Sequence, residues 1–377
     1  MNILLYGGAF NPPHMGHRHA VETFKEAHMP DKLIIMPTGT SPHKPLPAYS
    51  PSNAQRLELC RAMFGDIAEV SDIEINSNDT NYTIHTVQKL LQQYPGAKIT
   101  LGIGSDMLLA LHQWYKVDKL CQIVEFSALS RCHDDDTTLE RQALYMQQTY
   151  GAAIHMLKHD AIEISSSTLR VQLRRGDLPQ HITPLLPYID ELGLYRTKSE
   201  KLSTSEIQRI LQTTLSDARY RHCMRTAEFA AELAHCHGLD ATEALRAGLW
   251  HDLTKEFSHA EQAAVADNFK LPSSCHGQTA ACLCFDKYGE SREVAHAVAV
   301  HVCGEIGMSE FAKCIYIADK CEPGRDYLGV AQWRKLAKID LNAAFIAIAD
   351  ELTGWRISQS KPAAPKLLAV RNWLMGM

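Results

Sequence analysis

No two cysteines of this 377-residue chain stand at the C-x-x-C spacing, although there are 11 in all, and Cys282 and Cys284 are only two apart. An odd number without that spacing argues against a disulfide frame or a zinc knuckle and for reduced thiols that behave as small buried apolar residues. Long apolar runs are missing too. No stretch reaches the roughly 18 residues that a membrane span needs. Met1 to Gly8 has no basic segment ahead of its short apolar run, which Gly7 and Gly8 stop. Neither charge is in excess: 38 Lys and Arg against 43 Asp and Glu leave a net −5, a field too weak to draw the molecule onto nucleic acid or an anionic membrane. Low-complexity tracts and internal repeats of roughly 20 to 50 residues are absent as well. These absences point to a soluble, cytoplasmic protein without nucleic-acid or membrane partners, in which any phosphate must be bound locally.

With 45% apolar and 21% charged residues the composition is that of a globular protein. At roughly 100 to 200 residues per domain, the length points to two domains. The patterning agrees, because its grammar changes near residue 200. Before that point, short apolar or β-branched runs (Ile3 to Tyr6, Leu33 to Met36, Ile99 to Ile103, Ile123 to Phe126, Ile154 to Leu157) alternate with helical periodicity, as in Arg18 to Ala27 and Thr83 to Gln93. Such alternation predicts an α/β domain over residues 1–195, a doubly wound parallel sheet with helices on both faces. Beyond it only helical periodicity persists, as in Tyr220 to His237 and Glu293 to Val302, which predicts an all-α bundle over residues 206–377. The polar stretch Arg196 to Ser205 reads as the linker, and Ser203 with Glu206 three residues on forms a capping box that opens a new helix.

Two places carry chemistry. The first is Leu4 to His17, which runs from a buried strand through Gly7-Gly8 and Pro12-Pro13 into the start of a helix. At the end of the first strand of a doubly wound sheet, the following helix points free N–H groups and the positive end of its dipole at the crevice where nucleotides bind. Gly7 and Gly8 let the backbone approach a ligand. His14 and His17, three apart on the first turn, fall on one face and can both donate to phosphate oxygens. Further on, Ser165 to Ser167 cap a second helix whose N-terminal amides would meet phosphate, with Arg170 one turn in, where its fork of donors can span phosphate oxygens.

His14-x-Gly16-His17 after a Gly-Gly-x-Phe-x-Pro turn that includes Phe10 resembles the signature of the nucleotidyltransferases, Rossmann-like enzymes that move a nucleotidyl group from a nucleoside triphosphate. Pro42-His43-Lys44, Asn81-Tyr82-Thr83-Ile84 with Thr86, Gly102 to Asp106, Trp114 and Ile164 to Arg170 narrow the resemblance to the nicotinate-nucleotide adenylyltransferases, over about 1–195. The resemblance implies attack by the 5'-phosphate of nicotinate mononucleotide on the α-phosphorus of ATP with loss of pyrophosphate, assisted by Mg²⁺. Catalysis would be positioning and charge neutralisation, with no protein nucleophile. It also implies that Lys44 and Phe10 belong to the nucleotide site, that Trp114 stacks on the pyridine ring, that Thr83 meets the nicotinate carboxylate, and that Gly104 and Asp106 lie along the adenosine. Three positions depart from the family pattern: Ala9 stands where Thr or Ser is usual, Asn11 where Asp is frequent, and Ser130-Arg131-Cys132 replaces an Arg-Pro-Gly turn. Transfer to another acceptor, such as phosphopantetheine, is the alternative reading.

The second place is dispersed. His222, His251-Asp252, His276, His301 and Asp319 are spread over the helical half, the one-dimensional image of a metal site built across a bundle. Their local text includes Trp250-His251-Asp252-Leu253-Thr254-Lys255 and Ala318 to Arg325. It resembles the HD superfamily of metal-dependent phosphohydrolases and, within it, the YqeK-like symmetrical dinucleoside tetraphosphate hydrolases, over about 204–377. Six ligands suit two neighbouring ions with Asp252 as the bridge. The resemblance implies iron, while imidazole with carboxylate also accepts manganese or cobalt. Such ions acidify water towards about 7 and hold phosphate oxygens. Lys255 and Arg325 would neutralise the polyphosphate, and diadenosine tetraphosphate would be cut at its centre into two ADP. Val302 stands where the family has Thr. The alternatives are an HD site for another phosphate ester and a sensor module that keeps the metal residues without turnover.

Overall fold

The computed structural model describes residues 1–39, 46–47, 50–77, 80–131, 136–197, 200–272 and 275–377. Lys44 and Cys132 lie outside these, as does the side chain of Arg131. The chain divides into two compact units, Met1–Arg170 with Leu178–Tyr195, and Val171–Asp177 with Arg196–Met377. No helix among the described residues is long and apolar enough to cross a membrane.

The first unit is built on a six-stranded parallel sheet. Its strands are β1 (Asn2–Gly8), β2 (Lys32–Pro37), β3 (Glu69–Val70), β4 (Lys98–Gly104), β5 (Val124–Arg131) and β6 (Ile154–His159), in the order β3-β2-β1-β4-β5-β6. The inner strands are buried on both faces and so read as unbroken apolar runs: Ile3, Leu4 and Leu5 are 2% exposed or less. β1 pairs with β2 on one side and β4 on the other, Tyr6 lying beside Ile35 and Gly102. The strand order therefore reverses at β1, and the crevice beyond the carboxyl ends of β1 and β4 is the ligand position of such a sheet. The helix Met15–His28 returns from that crevice and buries Ala20, Val21 and Phe24. Phe24 lies so close to β4 that a Cβ on Gly102 would stand 2.9 Å from its ring.

Among its described residues the second unit has helices and no strand. Helix Thr204–Thr214 opens with the Ser203–Glu206 capping box. Arg196 and Thr197, at the start of the polar stretch read as a linker, are hydrogen-bonded within this unit, Arg196 Nη1 to the Glu290 carbonyl at 3.0 Å and Thr197 Oγ1 to Asp286 Oδ2 at 2.8 Å. A continuous apolar core joins helices Asp217–Cys236, Ala241–Trp250, His276–Asp286, Arg292–Val300 and Glu310–Cys321, which carry or abut the histidines and aspartates singled out above. Inside it the fully buried Glu290 carboxylate takes Arg246 Nε and Nη2 at 2.9 and 2.6 Å and Trp250 Nε1 at 2.7 Å, so its charge is paired where water cannot reach. Helices Asp217–Cys236 and Ala241–Trp250 meet backbone to backbone at Gly248, where an added Cβ would lie 2.5 Å from Ala227 Cα.

Candidate active sites

In the first unit the carboxyl ends of β1 and β4 open into a cleft of about 580 Å³. Gly7, Gly8, His14, His17, Thr83, Gly104, Asp106, Trp114, Ser165, Ser166 and Arg170 all line it. His14 is the residue before helix Met15–His28, in extended conformation, and its ring stacks on that of His17 with centroids 3.7 Å apart. Gly16 between them is required by space, since a Cβ there would come within 3.1 Å of His14 Nδ1 and of Ile164. The second helix N-terminus stands against the same loop. Ser165 Oγ accepts the amide of Thr168 at 3.1 Å, Ser166 Oγ donates to the Pro12 carbonyl at 2.9 Å, and Arg170 bonds the Asn11 carbonyl through Nη1 (2.7 Å) and Ser167 Oγ through Nη2 (3.0 Å). Two helix starts, two imidazoles and a guanidinium thus converge on one cavity, a donor-rich arrangement suited to a polyphosphate.

Phe10 is placed differently from its neighbours in the motif. With φ of 43° its ring turns inward, 2% exposed, and packs edge-on against His17 at 5.1 Å and Phe64 at 5.4 Å, so it supports the wall rather than lining the cleft. That ring also explains Gly8, whose Cβ would meet it at 3.2 Å.

Other residues that line the cleft or bond to its lining were not singled out as site residues from the sequence. Arg56, fully buried, holds the loop by donating to the carbonyls of Ala9 (2.8 Å) and Thr38 (2.7 Å), and burial lowers its pKa. Glu74 lines the cleft at 7% exposure and accepts Thr86 Oγ1 at 2.6 Å; burial pushes its carboxyl above the usual range, with the threonine hydroxyls around it pulling the other way. His159 lines it at the end of β6 and is held through Nδ1 by Thr23 Oγ1 at 3.0 Å. Tyr82 and Tyr115, rings 4.5 Å apart, flank Thr83 and Trp114 in sequence and line the cleft with them.

In the second unit the six dispersed residues meet. His222 Nε2 lies 3.1 Å from Asp319 Oδ1 and 3.2 Å from His251 Nε2, and His276 Nε2 lies 3.3 Å from His301 Nε2. Asp252 stands between the two groups with one oxygen for each: Oδ1 is 3.2 Å from His276 Nε2 and 3.7 Å from His301 Nε2, while Oδ2 is 3.5 Å from His251 Nε2 and 3.8 Å from His222 Nε2. Three overlapping trios, His222-His251-Asp252, His251-His301-Asp319 and Asp252-His276-His301, each keep their donor atoms within 4.8 Å of one another.

The other ring nitrogens explain why the Nε2 atoms face inward. Nδ1 of His251 is 2.7 Å from the Gly248 carbonyl, Nδ1 of His301 is 2.7 Å from the Val298 carbonyl, and Nδ1 of His222 is 3.2 Å from Glu322 Oε1. A backbone carbonyl on Nδ1 places the proton there and leaves Nε2 as a lone pair, the outer support a metal-ligating histidine needs. Burial drives His301 down to about 4, towards the neutral ligand form. Burial opposes the charge of Asp252, yet the imidazoles around it, His251 foremost, outweigh burial whenever they carry a second proton and then hold the carboxyl far below the usual range. Glu322 is likewise pushed up by burial and pulled down further, to about 2, by Arg225 and the Gly324 amide. The donor set, imidazole nitrogen with carboxylate oxygen in a buried pocket, fits divalent metal ions.

Arg325 stands beside the cluster, Nη2 being 3.4 Å from Asp319 Oδ1. Lys255 is exposed, its amide bonded to the Asp252 carbonyl at 2.9 Å. Lys320, bonded to Asp319 Oδ2 at 2.8 Å and to the His301 carbonyl at 2.6 Å, and Arg219, 2.7 Å from Asp252 Oδ2, were not singled out from the sequence.

A cytidylyltransferase-like family model matches residues 5–172 and an HD domain model matches residues 219–324. A protein of Mycoplasma pneumoniae named "Probable nicotinate-nucleotide adenylyltransferase/Ap4A hydrolase" is 28% identical over 358 residues, which cover 91% of this chain and 96% of that protein. One of Exiguobacterium sibiricum named "Probable nicotinate-nucleotide adenylyltransferase" is 32% identical over 201 residues, 52% of this chain and 100% of that protein. A solved structure from Clostridium acetobutylicum, described as a "predicted HD superfamily hydrolase involved in NAD metabolism", is 29% identical, covers 47% of this chain and 99% of its own, and has a TM-score of 0.45.

Proposed function

For a chain that belongs to the nicotinate-nucleotide adenylyltransferases over its first half and carries an HD domain in its second, we propose two activities on one polypeptide. The first unit transfers the adenylyl group of ATP to nicotinate mononucleotide, giving nicotinate adenine dinucleotide and pyrophosphate. The second hydrolyses diadenosine tetraphosphate symmetrically to two ADP.

In the first reaction His14 and His17 donate to the phosphate oxygens on which charge grows as the α-phosphorus is attacked in line. Arg170 and the amides following Ser165 hold the departing pyrophosphate, and Mg²⁺ brought with ATP supplies further charge neutralisation. The protein's work is to align two phosphates and exclude competing water, which accounts for a site made of backbone ends and fixed donors without a nucleophile. Trp114 and Thr83 hold the pyridine end of the acceptor, and Gly104 and Asp106 the adenosine.

In the second unit His222, His251, Asp252, His276, His301 and Asp319 would hold two divalent metal ions, which would polarise the phosphate and lower the pKa of a water; iron is the ion the family likeness favours. Arg325, beside Asp319, and Lys255, exposed three residues after Asp252, neutralise the polyphosphate. The observation that carries this reading is Asp252 itself, with one oxygen toward each histidine pair. The test is product analysis on the whole chain. ATP with nicotinate mononucleotide should give the dinucleotide in preference to nicotinamide mononucleotide or phosphopantetheine adducts. Metal-loaded protein should convert diadenosine tetraphosphate to ADP alone; ATP plus AMP, or bound metal without turnover, would refute the second half.

A further inference from the structure

The turn that carries Asp252 is fastened at two points to the start of helix Asp217–Cys236. Ser216, the capping residue of that helix, donates its amide to Glu256 Oε2 at 2.6 Å and its hydroxyl to Glu256 Oε1 at 2.7 Å. One turn on, Arg219 Nη1 donates to Asp252 Oδ2 at 2.7 Å, in an ion pair whose acid is 4% exposed and whose base is 30% exposed. Arg219 precedes His222 by three residues, so both project from the same side of the helix toward the cluster.

A carboxylate has a broad, nearly two-fold χ2 preference, and rotation about it would exchange or misdirect Oδ1 and Oδ2. The cluster needs the opposite: Oδ1 toward His276 and His301, Oδ2 toward His251 and His222. A charge-assisted bond at 2.7 Å takes one lone pair of Oδ2 and leaves the other, which pins the carboxylate plane while keeping both oxygens available as ligands. Lys320 and Arg325 act on Asp319, at 2.8 and 3.4 Å. We infer that Arg219 is a positioning residue of the hydrolytic centre, holding Asp252 in the orientation in which each of its oxygens serves a different pair of histidines. The inference rests on the reading of these six residues as metal ligands.

Metal affinity tests it, measured by equilibrium dialysis of the full chain against Mn²⁺, with the visible spectrum of the Co²⁺-loaded protein as a second readout. Arg219→Ala should weaken Mn²⁺ binding by about tenfold or more, the size of other outer-shell losses, and alter the Co²⁺ spectrum. Arg219→Lys, which keeps the charge and one donor, should recover part of the affinity. Adenylyl transfer should be unchanged in both. An Arg219→Ala protein that binds Mn²⁺ as tightly as the parent, or more tightly, overturns the inference, because a cation that merely opposes metal would give that sign. If Arg219→Ala does not fold, Arg219→Lys decides: weaker Mn²⁺ binding supports positioning and parental binding refutes it. Failure of the parent chain to bind any metal would instead sink the reading of the cluster itself.

Discussion

Gly248→Ala adds one methyl group where two helix backbones touch. Its Cβ would lie 2.5 Å from Ala227 Cα and 2.8 Å from Ala227 N, both backbone atoms that cannot turn aside. Carbon atoms rest comfortably at about 3.5–4.0 Å, so helices Asp217–Cys236 and Ala241–Trp250 must separate by about 1 Å. Overpacking of that kind costs about 1–3 kcal/mol, which for a unit of this size lowers Tm by roughly 2–4 °C per kcal/mol. The functional effect should be larger than the stability effect. His251 bonds the carbonyl of Gly248 at 2.7 Å and faces His222 of the other helix at 3.2 Å between Nε2 atoms. Moving one helix away from the other opens that approach, and metal affinity should fall by about 10- to 100-fold, as when an outer-shell support is lost. Equilibrium dialysis and diadenosine tetraphosphate hydrolysis measure it, with adenylyl transfer from ATP as the internal control. Gly354, within helix Leu341–Ser358 and with nothing within 4 Å of an added Cβ, is the matched control: Gly354→Ala should be neutral or stabilising by up to about 1 kcal/mol. A Gly248→Ala protein with parental melting and metal affinity would refute the coupling of helix spacing to the cluster.

The cleft and the buried pairs support further tests. His14→Ala and His17→Ala should each lower adenylyl transfer by about 10²-fold or more, the usual loss of one fixed donor to a charged transition state, while leaving diadenosine tetraphosphate hydrolysis intact; an activity within a few-fold of the parent would remove them from catalysis. Glu290→Ala strands the Arg246 guanidinium in the core and should cost about 3–5 kcal/mol by chemical denaturation, against a near-parental Glu232→Ala at the exposed pair with Lys338. Burial raises the carboxyl of Glu74 above its unfolded value, so the native state prefers the protonated form, and that preference is fully present below the ordinary carboxylate range and lost as pH rises through the raised value. Glu74→Gln, which cannot ionise, should therefore gain in melting temperature relative to the parent as pH rises from about 4 to 7; a difference that stays flat or shrinks would show that Glu74 titrates normally.

The strands were legible because both faces of a parallel sheet are covered, which writes β1, β2 and β4 as continuous apolar runs. β3 was not, since two residues, Glu69 and Val70, carry no period. Of the clustered histidines, His251 was legible from the aspartate after it, within the text that resembles the HD superfamily, and the others only as members of a dispersed set. The residues that orient them were not. Glu322 stands 100 positions from His222, Arg219 stands 33 positions from Asp252, and neither spacing carries a pattern; their roles exist only once the helices are packed. Phe10 shows the converse: membership in the Gly-Gly turn made it read as a residue of the nucleotide site, whereas a positive φ turns its ring inward against His17.

That contrast separates the two sites by how their chemistry is encoded. In the cleft, much of the candidate binding surface is main chain, the ends of two helices and the Gly7-Gly8 turn, so the informative residues are the small or capping ones that shape it, Gly8, Gly16 and Ser165, and they lie within short segments. In the helical unit the candidate ligand atoms are side chains of six residues from five points of the chain, and their convergence depends on interhelical distances set elsewhere, at Gly248 against Ala227 and at Arg219 against Asp252. Substitutions that disable the cleft should therefore cluster within a few segments near the ligand. Those that disable the cluster should include residues that touch neither metal nor substrate and act through helix spacing or carboxylate orientation. A scan of alanine substitutions scored for both activities would show that difference directly, and an equal scatter of damaging positions for the two reactions would contradict it.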